Sequence, residues 1–470
     1  MTEARLRSSL VRQLGEFAAR VDLAGIPSQV LDKAKACVLH GLVVGAASAD
    51  LKTTRIARSY ADSAPVPGGA RVLISGVRTA PSIAAYANGT LFHSRIQEDC
   101  LGVSHFGTMV IPAALAAAEL SGCTGKRFLE GVLAGYEVGG AVSGAYGTLL
   151  APRGFRGSPV LGPLGAAAAA AHVMGLSAEQ AASAIAFAAA FAGGTLEGVG
   201  VGTEEFPFQN GVGAANGFLA AQIASQGALG ASSALEGQAG FLSCFYGKRD
   251  DWSGMASHLG EEWKILKVFF KPYPVCALNQ TPVTLALQLF EKLPFSAGAV
   301  AEIAFDMPQF DASYPGILYK GELASVSQAQ VSTAFVIALA LCKGELTHDG
   351  LRDLGNPDIK SLMERIEIRV RPERQPLTGR LTVRLCDGRT AEQSFDGDPW
   401  AFYGWDFAHE VEFARRLAPE APFPRERIEA LIEQVAGLEE LPDLAPLVDL
   451  LVLQAGLGLA ATRSTGGSRS

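Results

Sequence analysis

Within seven residues the chain places a carboxylic acid, a thiol and an imidazole, at Asp99, Cys100 and His105. Such groups take up or release protons, and a thiolate also attacks carbon. His105, in Ser104-His105-Phe106-Gly107 just ahead of a helix, is a candidate base or acid and equally a capping or core histidine. Asp99 is an acid-base candidate and equally a cap for the next turn. Cys100 is a nucleophile or acid candidate and equally a small buried hydrophobe, the usual fate of a free cysteine. Two cations stand further along. Arg156 has Glu204 and Glu205 as alternative ion-pair partners, and Lys271 lies beside Phe269 and Phe270. Lys271 reads as a pocket cation or as a solvated linker lysine. Tyr273, two residues on, reads as pocket lining or as core.

Other chemistries find no footing in the sequence. There is no H-E-x-x-H, no G-x-S-x-G and no Walker A pattern. Gly198-Val199-Gly200-Val201-Gly202 does not follow a strand, and its third glycine is misplaced for a dinucleotide loop. The seven histidines share no ligand spacing on a helix face, so nothing asks for a metal. Seven dispersed cysteines without a C-x-x-C pair suit reduced thiols in a cytoplasm.

The elements that must position these groups are mostly helical. Hydrophobic residues make up 49% and charged residues 18%, with 53 glycines among 470 residues and a net charge of −8. This composition excludes intrinsic disorder and argues against a nucleic-acid groove. Low charge with abundant Gly and Ala predicts closely packed helices. Leu10, Leu14, Phe17 and Val21 form one stripe, and helical periodicity continues almost throughout to about residue 260. Gly131, Gly135 and Gly139 are spaced to let backbones approach. The N-terminus lacks the apolar core of a signal peptide, and the Ala-rich stretches are too short to span a bilayer.

The pattern changes at Phe269-Phe270-Lys271-Pro272-Tyr273-Pro274, where two prolines break any helix. A helix over 279–293, a strand over 299–307, a helix over 325–342, a strand over 366–370 and a hairpin about Asp387-Gly388 then predict an α+β module. Helix returns over 424–435 and 445–457. The expected fold is mainly α with an α+β lid: a helical domain from 1–267 and 399–460, interrupted by a lid over 268–398, with a disordered tail at 461–470. The crossings near 268 and 398 would form a hinge or cleft.

Several ordered segments carry a resemblance. They include Ile26-Pro27, Ala84-Ala85-Tyr86-Ala87-Asn88-Gly89, His93 through Asp99 with His105, Arg153-Gly154-Phe155, Leu235-Glu236-Gly237 and Phe270-Lys271-Pro272-Tyr273-Pro274. Together they resemble the MmgE/PrpD family of 2-methylcitrate dehydratase, cis-aconitate decarboxylase and iminodisuccinate epimerase over about 10–460. The resemblance implies a large helical domain built from both chain ends, an inserted lid, a homodimer and no cofactor. It also implies reactions in which a proton or carboxylate leaves the carbon beside a carboxylate, so that fixed positive groups must stabilise an enolate or carbanion.

Matched position by position, this chain departs from the family's polycarboxylate grip. The family's acid falls at Ile96, with Glu98 and Asp99 kept nearby, and its threonine at Cys100. A family histidine is Arg156, a lysine is Phe206, and two further histidines are Gln209 and Gln280, whereas His105 and Lys271 remain. The expectation is a lyase, isomerase or cyclase of cytoplasmic specialised metabolism, acting on a small metabolite less charged than the family's substrates. His105, Lys271, Asp99 and Cys100 would carry the chemistry; Arg156, Ile96, Phe206, Gln209, Gln280 and Tyr273 would line the site. The alternatives are a member that has lost acid-base catalysis and only binds or shapes its substrate, and covalent capture by Cys100.

Overall fold

Glycine decides where the central helices of the computed structural model cross. The structure describes residues 9–453 apart from 145, 253, 293 and 294, and the 461–470 tail lies outside them. In chain order the helical part contains α1 (Leu10–Arg20), α2 (Ser28–Ala47), the hairpin β1 (Pro65–Arg71) and β2 (Arg78–Thr79), α3 (Pro81–His93), α4 (Gly107–Ser121), α5 (Gly125–Ser143), α6 (Gly157–Val173), α7 (Ala178–Phe191) and α8 (Glu205–Ser225). A Cβ on Gly135 of α5 would stand 2.8 Å from the Gly165 carbonyl oxygen of α6, and one on Gly165 2.6 Å from that of Gly135. Neither position admits a side chain unless the helices separate. Ser158 through Val173 of α6 are consequently buried on every face, as expected of a helix that is apolar all round. Pro163 and Pro112 sit inside α6 and α4 without ending them.

The second unit begins after Pro274. It contains α9 (Gln280–Lys292), β3 (Val300–Pro308), α10 (Thr333–Lys343), β4 (Ile366–Arg371), β5 (Gly379–Leu385) and β6 (Thr390–Phe395). The sheet order is β4-β3-β5-β6, with β3 parallel to β4 and antiparallel to β5. Along β5, Leu381, Val383 and Leu385 are buried while Arg380 and Arg384 are exposed, the period-two pattern of a sheet with one wet face. α9 packs on β5, β6 and α10. The chain then returns to the helical part with α11 (Phe407–Leu417) and α12 (Arg425–Ala436), both packed on α2. This is a large helical domain with a smaller α+β domain.

Three predicted spans differ from the structure. The helix over 445–457 ends at Asp449, Val452 instead pairing with Ile74, and 454–457 lie outside the described residues. The single helix over 325–342 is broken at Ser332, whose side chain caps Phe335 while the next residue, Thr333, donates its N–H to the Ile317 carbonyl (3.1 Å). Residues 226–264 are largely turns, with one short helix at Phe241–Tyr246. The Gly198–Gly202 run forms the end of a short helix capped by left-handed Gly202.

Among the described residues two large apolar cores stand beside two small clusters, and one of the large cores crosses the boundary between the units. Ile96, Leu196, Val199 and Phe206 of the helical part pack in the lid's core with Val275, Ile317 and Phe335. The two connections also meet each other: Phe270 donates its N–H to the Tyr403 carbonyl (2.9 Å), and the Phe269 and Tyr403 rings lie 6.3 Å apart. No single described helix is long and apolar enough to cross a membrane.

Candidate active site

The segment between α3 and α4 carries the acid-base groups, and its extended backbone sorts them onto two sides. Ile96 opens it with φ at 56°, left-handed geometry that costs a β-branched residue about 1–2 kcal/mol. Cys100 then pairs as a β-bridge with Phe269, N–H to carbonyl in both directions at 2.8 and 3.0 Å. This bridge brings Lys271, two residues further on, beside the turn.

Glu98 is the centre of the cluster. Its Oε1 accepts from Lys271 Nζ at 2.5 Å and lies 3.3 Å from His105 Nδ1. Its Oε2 faces His93 Nδ1 at 3.0 Å, out of line for a hydrogen bond. Burial alone would push the Glu98 carboxyl up, but the surrounding His93, Lys271 and His105 outweigh it and hold the group well below its usual range. With both imidazoles neutral, the lasting countercharge is the Lys271 ammonium.

The tautomers follow from the partners. Arg156 only donates, so His93 Nε2, which its Nη2 meets, accepts, and the ring proton sits on Nδ1. The Asp99 carbonyl only accepts, so His105 Nδ1, 2.9 Å away, carries that ring's proton. Burial, together with Lys271 and Arg156, keeps His105 well below its ordinary pKa. Its Nε2 therefore holds a free lone pair, and among the described residues no hydrogen bond uses it. The His105 side chain is 18% exposed, against 0–2% for Lys271, Glu98 and His93.

Arg156 does not pair with Glu204 or Glu205. Its Nη1 donates to Asn210 Oδ1 (2.7 Å), the Phe206 carbonyl (3.0 Å) and Gln209 Oε1 (3.4 Å), and Glu204 instead meets Lys52. Phe206 stands edge-on to the His93 ring at 5.7 Å, and together with Ile96 it joins the apolar seam between the units. Asp99 points away from this cluster: its oxygens accept from Tyr136 Oη (2.5 Å) and Gly107 N–H (3.2 Å), and its carbonyl steers His105. Burial pushes the Cys100 thiol well up, so it stays protonated beside His105 Nδ1 (3.2 Å). Gln280 closes its own loop, its Nε2 donating to the carbonyls of Tyr273 (3.1 Å) and Val275 (3.0 Å) while its Oε1 accepts from Tyr273 N–H (3.1 Å). Gln280 and the Tyr273 backbone thus shape the Lys271 loop without contacting the Glu98 cluster. The sequence reading of Asn210 as a pocket amide agrees with its bond to Arg156, whereas Glu98, His93 and the lid residue Tyr314, whose hydroxyl pKa is pushed up by burial, were not among the expected site residues. An open cleft of about 520 Å³ on the sheet, beside Arg371, Arg374 and Arg380, shares no residue with the cluster, and these arginines pair with Asp306, Asp396 and Glu392 respectively.

Stability should respond to this burial. Burial and Arg156, against the pull of Glu98, lower His93 from 6.5 to about 4. The unfolded chain therefore binds that proton first, and stability falls as pH drops from about 6.5 towards 4, by on the order of 3 kcal/mol. Glu98, whose pKa is also depressed, adds loss below its own unfolded value. Urea midpoints at pH 7, 5.5 and 4.5 should decline more shallowly in His93→Gln than in the wild type. Equal slopes would refute a neutral buried His93.

A buried carboxylate–ammonium pair lies beside a partly exposed neutral imidazole where the helical part meets the smaller α+β part, an arrangement of groups able to give and take protons. The MmgE/PrpD N-terminal domain matches residues 12–252 and the MmgE/PrpD C-terminal domain residues 273–398, and the chain belongs to this family. It is 24% identical to the cis-aconitate decarboxylase-like protein oryM of Aspergillus oryzae, over 96% of this chain and 99% of the relative. It is 23% identical to a cis-aconitate decarboxylase of Aspergillus terreus (96% and 97% covered) and 27% identical to that of Homo sapiens (80% of each).

Proposed function

We propose that this protein is a cofactor-independent lyase that forms an enolate or carbanion from a small carboxylate carrying fewer charges than cis-aconitate. The relatives, named as cis-aconitate decarboxylases, support a lyase-type enzyme. The observation that carries the reading is the free Nε2 of a neutral His105 beside the buried Lys271–Glu98 pair. His105 takes or returns the proton at carbon. Lys271 has three N–H donors and gives one to Glu98, leaving two for a carboxylate or enolate oxygen. Arg156 keeps its Nε–H and one Nη2–H for the same anion. Glu98 cancels one of the two fixed cations, so one positive charge remains, suited to a single carboxylate.

The test is a panel in D2O followed by NMR, comparing monocarboxylates that bear an acidified α C–H, such as β-keto acids, with cis-aconitate and 2-methylcitrate. We expect turnover of a monocarboxylate and kcat/KM about 100-fold lower for the polycarboxylates, as two missing charged hydrogen bonds would give. Efficient conversion of cis-aconitate or 2-methylcitrate would overturn the substrate class; binding without exchange or turnover of any compound would favour the shaping role instead. We also propose a homodimer in the cytoplasm. The exposed groove lined by Tyr60, Tyr86 and Val212 supports the dimer and the free cysteines support the compartment; light scattering on the active sample would read one chain mass if the dimer is wrong.

A further inference from the structure

His40 lies in the middle of α2 and Glu410 on α11, 370 positions apart, and both are buried. His40 Nδ1 meets Glu410 Oε1 at 3.0 Å, and His40 Nε2 meets the Gln97 carbonyl at 2.8 Å. A carbonyl can only accept, so Nε2 carries a proton. The other ring nitrogen meets a carboxyl oxygen, so a second proton lies between Nδ1 and Glu410. The pair thus holds two protons where a neutral imidazole with a carboxylate would hold one. The ring is flanked by Phe270 (4.8 Å) and Phe413 (5.0 Å, stacked), while its two hydrogen bonds fix which nitrogen faces which partner. Burial opposes charge on His40, yet Glu410 and Asp99 raise its pKa overall, while burial raises Glu410. Lys33 and Arg416 are the other charged groups that bear on Glu410.

The carbonyl so gripped belongs to the peptide that leads into Glu98. The Gln97 side chain is tied as well, accepting from Arg95 Nε (2.7 Å) and donating to the Pro272 carbonyl next to Lys271 (2.7 Å). We infer that His40 and Glu410 are positioning residues that fix the Gln97–Glu98 peptide from behind, and so set the distance between Glu98, Lys271 and the two site histidines. Neither side chain touches the place where a substrate would lie. The inference rests on reading the Glu98 cluster as the acid-base site, but its test needs no substrate.

Full-length protein labelled with ¹⁵N in its histidine rings reports protonation and tautomer for each ring. In the wild type, the His40 Nε2 signal should be that of a protonated nitrogen and should not titrate between pH 6 and 8. Glu410→Gln, which keeps shape but removes the acid, should shift the His93 and His105 ring signals, because a neutral His40 is a weaker donor and holds the Gln97 carbonyl less closely. Phe413→Leu is the packing control: it should lower the melting temperature and leave the His93 and His105 signals in place. If Glu410→Gln leaves those signals unmoved, or Phe413→Leu moves them as far, the pair is merely structural and the inference fails. Glu410→Asp, with the acid restored on a shorter arm, should bring the signals part of the way back; no recovery beyond Glu410→Gln would also count against it. Should these shifts appear while no panel compound reacts, the positioning role stands and the lyase reading falls.

Discussion

Replacing Lys271 with methionine should destabilise the protein by about 3–5 kcal/mol, the usual cost of leaving one member of a buried ion pair alone. The side chain is fully buried and its ammonium is 2.5 Å from Glu98 Oε1. Both neighbouring imidazoles are held neutral, so nothing else nearby is cationic except Arg156, whose Nη2 is turned to His93. Without that cation the burial of Glu98 pushes its carboxyl upward, and stability of the variant should improve on acidification where the wild type declines. Adding Glu98→Gln to Lys271→Met should recover part of the loss, because a neutral amide needs no countercharge. Chemical denaturation of the two single variants and the double variant measures this. A single-variant loss below 1 kcal/mol, or a double variant with additive losses, would mean that the pair is solvated.

His105→Gln should have the opposite signature, large in rate and small in stability. The wild-type imidazole is partly exposed and its Nε2 makes no bond within the described structure. Glutamine retains an N–H for the Asp99 carbonyl but supplies no base. Turnover of the best panel compound should fall about 10²- to 10⁴-fold, with deuterium exchange at carbon falling equally and KM little changed. If exchange persists at the wild-type rate, another group takes the proton, and the free Nε2 is incidental.

Much of the fold could be read from the chain because its signals are local. The stripe of Leu10, Leu14 and Phe17 belongs to α1, and Asp387-Gly388 turns β5 into β6 as expected. The β1–β2 hairpin escaped notice because Pro65-Val66-Pro67-Gly68-Gly69 has neither alternation nor β-branched runs. The break at Ser332 is set by Ile317 and Asn279, which no local pattern reveals. For the site, His105, Lys271 and Arg156 do come to one place. Glu98 rather than Asp99 faces the cluster because the two side chains leave the backbone on opposite sides. Neighbouring residues of an extended segment face opposite ways, and since Cys100 faces His105, its alternate partner is Glu98, while Asp99 turns to Tyr136. That alternation was the available signal. His93 heads one of the segments that carry the family resemblance, but no local pattern shows that the end of α3 sets it against Arg156 across 63 positions.

The helical domain is completed by α11 and α12, which follow the entire lid in the sequence. During synthesis at about 5–20 residues per second, roughly 20–70 s separate the emergence of α2 from that of α11. For that interval the surface of α2 meant for them, including the imidazole of His40, must wait uncovered while the lid is being made. The nascent chain therefore has a lid that can fold early and a helical core that cannot close until α11 and α12 arrive. A chaperone that shields an apolar helix face would act on this protein chiefly in that window, and a stop codon placed just after the lid would leave a product with its larger core permanently open.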